Sequence, residues 1–159
     1  MGFFHRRCFV CGERPRPKVA TRLNGHSGDA DVEFTNFPYR SCSCGKLAKW
    51  AFDPGTDLST QLFWDKSGIP RAKGPKRAPV CGRCGTILGA PEQVELAAQV
   101  KLKGFEPIDF RTQLQGFVCQ SCGLAQAPRG SFDRTKSGGP VSDGARALDD
   151  AVRSIGLPR

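Results

Sequence analysis

The sequence is short of residues that many enzymes and membrane proteins depend on. Of 159 residues, two are histidine, one is methionine and one is tyrosine, and 15 Asp plus Glu face 24 Lys plus Arg. No apolar run approaches the roughly 20 residues of a membrane helix, so a helical transmembrane protein is excluded. Residues 1–10 lack the apolar stretch of a secretory signal, and Arg6 stands where a myristoylation motif takes Ser or Thr, so a cytoplasmic location is expected. A catalytic zinc site usually takes three protein ligands, His among them, plus a water, and neither of the two histidines lies in an H-E-x-x-H pattern. His5 precedes the first cysteine pair and His26 falls in an expected turn, and both read as surface residues. The zinc-deaminase pattern is missing as well: Val80 separates Pro79 from Cys81, and Gly28 stands where a glutamate should follow His26. There is no G-x-S-x-G, no P-loop and no dinucleotide fingerprint. No catalytic residue and no small-molecule substrate are therefore expected.

What the chain does have is eight cysteines, all in close pairs: Cys8 with Cys11, Cys42 with Cys44, Cys81 with Cys84, and Cys119 with Cys122. In a reducing compartment such pairs point to metal ligation rather than to disulfides. A glycine follows the second cysteine of each pair, at Gly12, Gly45, Gly85 and Gly123. A two-thiolate knuckle turns its backbone N–H groups toward the sulfurs, and the residue past it often needs the positive φ that glycine adopts freely. Eight ligands make two four-cysteine sites. Zn²⁺ suits four thiolates in a tetrahedron, whereas ferredoxin-type iron–sulfur spacings place three cysteines in one run.

Spacing alone does not pair the knuckles, since 30, 36 and 34 residues separate successive pairs. The strand pattern favours neighbours. Val19, Thr21 and Leu23 alternate with Ala20 and Arg22, Asn24-Gly25 opens a turn-rich stretch to Asp31, and Val32 and Phe34 resume the alternation toward Cys42. Val94, Leu96, Ala98, Val100 and Leu102 keep one face, Gly104 and Pro107 end that strand, and Ile108 and Phe110 begin a return to Cys119. Each half reads as knuckle, hairpin, knuckle. It resembles a zinc ribbon, in which two knuckles hold one metal at the end of a small antiparallel sheet, over about residues 8–52 and 81–127. The resemblance implies Cys8, Cys11, Cys42 and Cys44 as ligands of the first ion and Cys81, Cys84, Cys119 and Cys122 as ligands of the second. One departure is Cys42-Ser43-Cys44, with one residue between the cysteines where the common knuckle has two.

The expected fold is small and mostly antiparallel β: a first ribbon with a third strand over 1–64, a basic Pro/Gly linker over 65–80, a second ribbon over 81–127, and a flexible segment with a short amphipathic helix over 128–159. Ser142 can cap that helix, with Ala145, Leu148, Val152 and Ile155 on its apolar face. It should dock on its own chain or on a partner.

Charge is uneven. Residues 1–53 hold nine Lys plus Arg and five acids, 54–80 hold five and two, and 81–127 hold four and four, so the second ribbon is neutral. Ten of the 14 aromatic residues precede residue 65, Phe63 and Trp64 among them. Cations among aromatic rings suit nucleic acid. The residues expected to contact DNA or RNA are Arg14, Arg16, Lys18, Arg22, Arg40, Lys46, Lys49 and Trp50, with Arg71, Lys73, Lys76 and Arg77 in the linker. The plainer reading is that Trp50 and Phe52 are core and the linker is simply solvated. The neutral second ribbon or the helix would meet protein. This gives a non-enzymatic nucleic-acid-associated module or accessory subunit, with a protein–protein adaptor as the alternative. Asp29 and Asp31 form an acidic hairpin tip, the one feature pointing to a metal-dependent nuclease.

Overall fold

A computed structural model describes residues 6–53 and 68–159. His5, Phe63, Trp64, Lys66 and the expected boundary at 64/65 lie outside the described residues. The chain is mostly antiparallel β with one C-terminal helix. Its strands are β1 (Arg16–Ser27), β2 (Ala30–Ser41), β3 (Ala48–Trp50), β4 (Glu92–Val100), β5 (Ile108–Val118) and β6 (Ala125–Gln126), followed by helix α1 (Asp143–Arg153). No helix is long and apolar enough to cross a membrane.

The two hairpins share one sheet in the order β1-β2-β5-β4, with β3 beside β2 and β6 beside β5. The joint is β2 against β5, antiparallel from Asp31↔Gln113 to Thr35↔Asp109. Where the sequence reading set two ribbons apart, this pairing removes two exposed edges and buries Phe34 against its cross-strand partner Phe110, ring centroids 5.1 Å apart. Each half has the same succession of knuckle, hairpin, knuckle and short strand. The halves also repeat in sequence beyond the short strand, as Lys66-Ser67-Gly68-Ile69-Pro70 and Lys136-Ser137-Gly138-Gly139-Pro140. Because β2 and β5 run antiparallel, and each leads into the second knuckle of its half, the two cysteine clusters lie at opposite ends of the sheet.

One face of the sheet is apolar and covered. Leu23, Val32, Phe34, Val94, Leu96, Val100, Ile108, Phe110 and Leu114 are buried there with Ala147, Leu148, Ala151 and Val152 of α1. In β2 the alternation changes phase at Asn36, which has φ 60° and carries Phe37 back into the core after Phe34. Asparagine is among the few side chains that tolerate that region. Ser142 caps α1 by accepting the Ala145 N–H at 3.2 Å, as the sequence predicts. The apolar face of the helix is covered by this chain's own sheet, so docking within the chain is the outcome. The buried Arg134–Asp149 ion pair ties the helix to the segment before it.

Two local expectations are corrected. Asn24-Gly25 is not a turn: β1 continues to Ser27, and a two-residue loop, Gly28-Asp29, closes the hairpin. A Cβ on Gly25 would stand 2.5 Å from the Ala151 nitrogen and nearer still to the Ala147 carbonyl oxygen, so this glycine lets α1 lie directly on the strand. The described part of the linker, residues 68–80, is held by backbone hydrogen bonds. Ile69 and Ala72 are buried, Ala72 donates to the Ala127 carbonyl at 2.8 Å, and Lys73 and Val80 exchange two backbone hydrogen bonds of 2.9 Å.

Candidate metal centres and the basic surface

The four pairs form four hydrogen-bonded knuckles. In each, the first cysteine's N–H closes the loop, Cys8 on Glu13 O, Cys42 on Leu47 O, Cys81 on Thr86 O and Cys119 on Leu124 O, over 2.8 to 3.1 Å. The following glycine then donates back to the first cysteine's carbonyl, with φ of 71° to 74° at Gly12, Gly45, Gly85 and Gly123. The shorter Cys42-Ser43-Cys44 knuckle keeps the same closure because it gains after the glycine the residue it lacks before it. The outer loop from Cys42 N–H to Leu47 O thus keeps its size, while the inner closure from Gly45 N–H to Cys42 O is one residue tighter than in the other knuckles.

These knuckles meet in sequence order. The sulfurs of Cys8, Cys11, Cys42 and Cys44 lie within 4.8 Å of one another, as do those of Cys81, Cys84, Cys119 and Cys122. None of the eight cysteines is in a disulfide. The nearest pairs are Cys42–Cys44 at 3.4 Å, Cys8–Cys44 and Cys84–Cys119 at 3.5 Å, and Cys81–Cys122 at 3.6 Å. Four thiolates about 2.3 Å from one ion stand about 3.8 Å apart at the corners of a tetrahedron. Each cluster can hold a metal ion. Protonation within them is divided. Cys81 is held down to about 6, chiefly by the Cys84 N–H and next by the Gln126 amide. Cys122 is pushed up to about 11, where the Leu124 N–H is outweighed by burial and the neighbouring sulfurs. In the other cluster Cys42 falls to about 6, burial being outweighed by the Leu47 N–H and the adjacent thiols, while Cys44 rises to about 12. Thiolates this close repel one another, and a dication is the species that lets all four ionise together.

The surroundings of the two centres differ. At the second, Gln126 is fully buried, donates to Cys81 Sγ at 3.3 Å and to Leu124 O at 3.2 Å, and accepts the Gly82 N–H at 2.9 Å. Thr86 Oγ1 lies 3.1 Å from Cys84 Sγ. Ala72, Leu88, Phe117 and Leu124 pack around these ligands. Neither Gln126 nor Thr86 had a sequence signal beyond being a polar residue near a knuckle. The first centre is rimmed by charge instead. Lys18 Nζ donates to the Cys42 carbonyl at 3.2 Å, and Glu13 accepts the Ser43 N–H at 3.1 Å, which joins the two knuckles and lowers the Glu13 pKa.

The basic residues named from sequence divide into two groups. Arg14, Arg16, Lys18, Arg40, Lys46, Lys73, Lys76 and Arg77 are exposed, and Lys49 is half-buried. Arg40 and Lys49 are direct cross-strand partners between β2 and β3. Among the described residues Arg14, Arg40, Lys46 and Lys49 have no carboxylate partner. Three others are engaged within the fold. Arg22 pairs with Glu33 at 3.3 Å, Arg71 lies 5.5 Å from the centroid of Phe132, and Trp50 packs against Phe37 and Phe52 while donating to the Pro158 carbonyl at 3.0 Å. Among the described residues the most exposed ring is Phe9, at the tip of the first knuckle and 89% accessible, a residue with no part in the sequence expectations.

The uncovered face of the sheet is polar. Its cleft of about 520 Å³ is lined by Arg22, Asn24, His26, Glu33, Glu95 and Arg111 among others. His26 lies on β1 rather than in a turn, with Nδ1 2.6 Å from Asp31 Oδ1. Asp31 is thus opposite His26 within the sheet, while Asp29 is in the loop, so the pair forms no acidic tip. No family model, curated protein or solved structure matches the chain.

Proposed function

We propose that the chain is a non-enzymatic, two-zinc nucleic-acid-associated protein, an accessory module whose first metal end contacts the phosphate backbone of DNA or RNA. Zn²⁺ fits both centres because each offers four thiolates in closed, near-tetrahedral array, with no position left for a reacting water. Iron–sulfur ligation is the rival for such a donor set, and metal content separates the two. The ligands are Cys8, Cys11, Cys42 and Cys44 at one end, and Cys81, Cys84, Cys119 and Cys122 at the other.

The observation that carries the nucleic-acid reading is the Arg40–Lys49 pair. Two cations directly opposite one another across strands repel, and no carboxylate among the described residues relieves them. A phosphate does relieve them, and Arg14 and Lys46 extend the same surface. The neutral second half, with its ligands backed by amide and hydroxyl groups, is left to meet protein.

Binding of a labelled mixed-sequence oligonucleotide, followed by anisotropy, tests the reading. Affinity should fall steeply as salt rises from about 50 to 200 mM, and Arg40→Glu with Lys49→Glu should abolish it while both metals are retained. Affinity indifferent to salt, or to the double charge reversal, overturns phosphate contact.

A further inference from the structure

Away from the first metal end, linker residues 72–79 lie beside the second half and leave a groove of about 250 Å³. Lys73, Lys76 and Arg129 line it together with Phe117, Pro75 and Pro79, and no carboxylate does. The hydrogen bonds between Lys73 and Val80 fix the linker wall, and Ala72 N–H on Ala127 O joins it to the opposite wall, where Pro128 and Arg129 follow. The three cations are exposed, and none has an ion pair among the described residues. Phe117 is half-buried at the end of β5, and its own side chain packs on the second metal cluster.

We propose that this groove binds one nucleotide unit of a single strand, its phosphates on Lys73, Lys76 and Arg129 and its base against Phe117 and the prolines. The inference rests on the nucleic-acid reading above and adds a second contact, selective for unpaired nucleic acid. Three cations with no acid among the groove-lining residues call for an anion. A ring and prolines beside them offer flat apolar surface to a base, and a base inside a duplex cannot reach such a wall. Single-stranded nucleic acid is the occupant that fits, because every nucleotide places a planar base beside its phosphate, whereas an acidic peptide does so only where an aromatic residue adjoins its carboxylates.

The test uses the full metal-loaded chain with a short oligothymidylate and a duplex of equal length. Lys73→Ala, Lys76→Ala and Arg129→Ala together should reduce the magnitude of the slope of log affinity against log salt by about 1.4 for the single strand, at about 0.7 for each of the two phosphates that flank the bound nucleotide, and leave the duplex slope unchanged. Ultraviolet cross-linking of oligothymidylate to the unsubstituted protein should map to the peptide containing Phe117, a result that distant charge cannot produce. Equal losses on single strand and duplex, or cross-links confined to Phe9, overturn the groove while leaving nucleic-acid binding in place. Failure of the unsubstituted chain to bind either probe overturns the parent reading as well.

Discussion

At the scale of single residues, the groups that complete the second metal centre are the ones least visible in the sequence. Gln126 is fully buried and makes three hydrogen bonds, one of them to a cysteine sulfur, so its role is set by tertiary placement and not by any local pattern. Gln126→Leu keeps the bulk but strands the Gly82 N–H and removes a donor from Cys81. A lost partner of this kind costs about 1 to 3 kcal/mol, and outer-shell groups are worth about 10- to 100-fold in metal affinity. In competition with a chelator, the variant should give up one metal early and hold the other as before. Unchanged retention of both would show that Gln126 contributes only packing. The cysteines and their glycines, by contrast, were legible at once, because a knuckle is a local structure whose geometry is written in adjacent residues. The His26–Asp31 contact was not, since it depends on which residues form the hairpin loop.

At the scale of elements, alternation served well for β4 and β5, where Val94 pairs with Leu114, Ala98 with Phe110 and Val100 with Ile108 on the covered face of the sheet. It failed at Asn24-Gly25, a pair that ordinarily signals a hairpin turn. Here the glycine answers to a helix more than 100 residues later, a requirement no local window contains. Gly25→Ala should force α1 off β1 and destabilise the fold by about 1 to 3 kcal/mol, as overpacking does. A urea melt reads this as a lower midpoint, and a midpoint equal to that of the unsubstituted protein would contradict the close approach. The helix itself was legible in its cap and its spacing, although only the structure shows that its apolar face is filled by Leu23, Val32 and their neighbours. The β2–β5 pairing was invisible for a related reason: nothing in either hairpin specifies the register it takes against another hairpin.

On the scale of the whole molecule, two metal clusters stand at opposite ends of one sheet. Each half by itself has about 50 residues, a size at which burial alone seldom repays chain entropy, so the shared sheet and the docked helix matter, and on the proposed reading bound metals add to them. A structural zinc site contributes on the order of 10 to 16 kcal/mol in small finger peptides. The uneven charge that separates the two ends is visible in the sequence, and the structure shows part of it engaged within the chain, with Arg71 on Phe132 and Arg22 paired with Glu33 on the exposed face. Of the cations named from the sequence, those still outward lie around the first cluster and along the linker, which is why the two proposed contacts are placed there. The account depends most directly on the metal content of the purified chain, measured by elemental analysis alongside native mass spectrometry. Two zinc ions per chain, with Cys84→Ser reducing the count to one and unfolding the second half, are predicted. Fewer than two zinc ions in the unsubstituted protein, or iron with inorganic sulfide in their place, would contradict it.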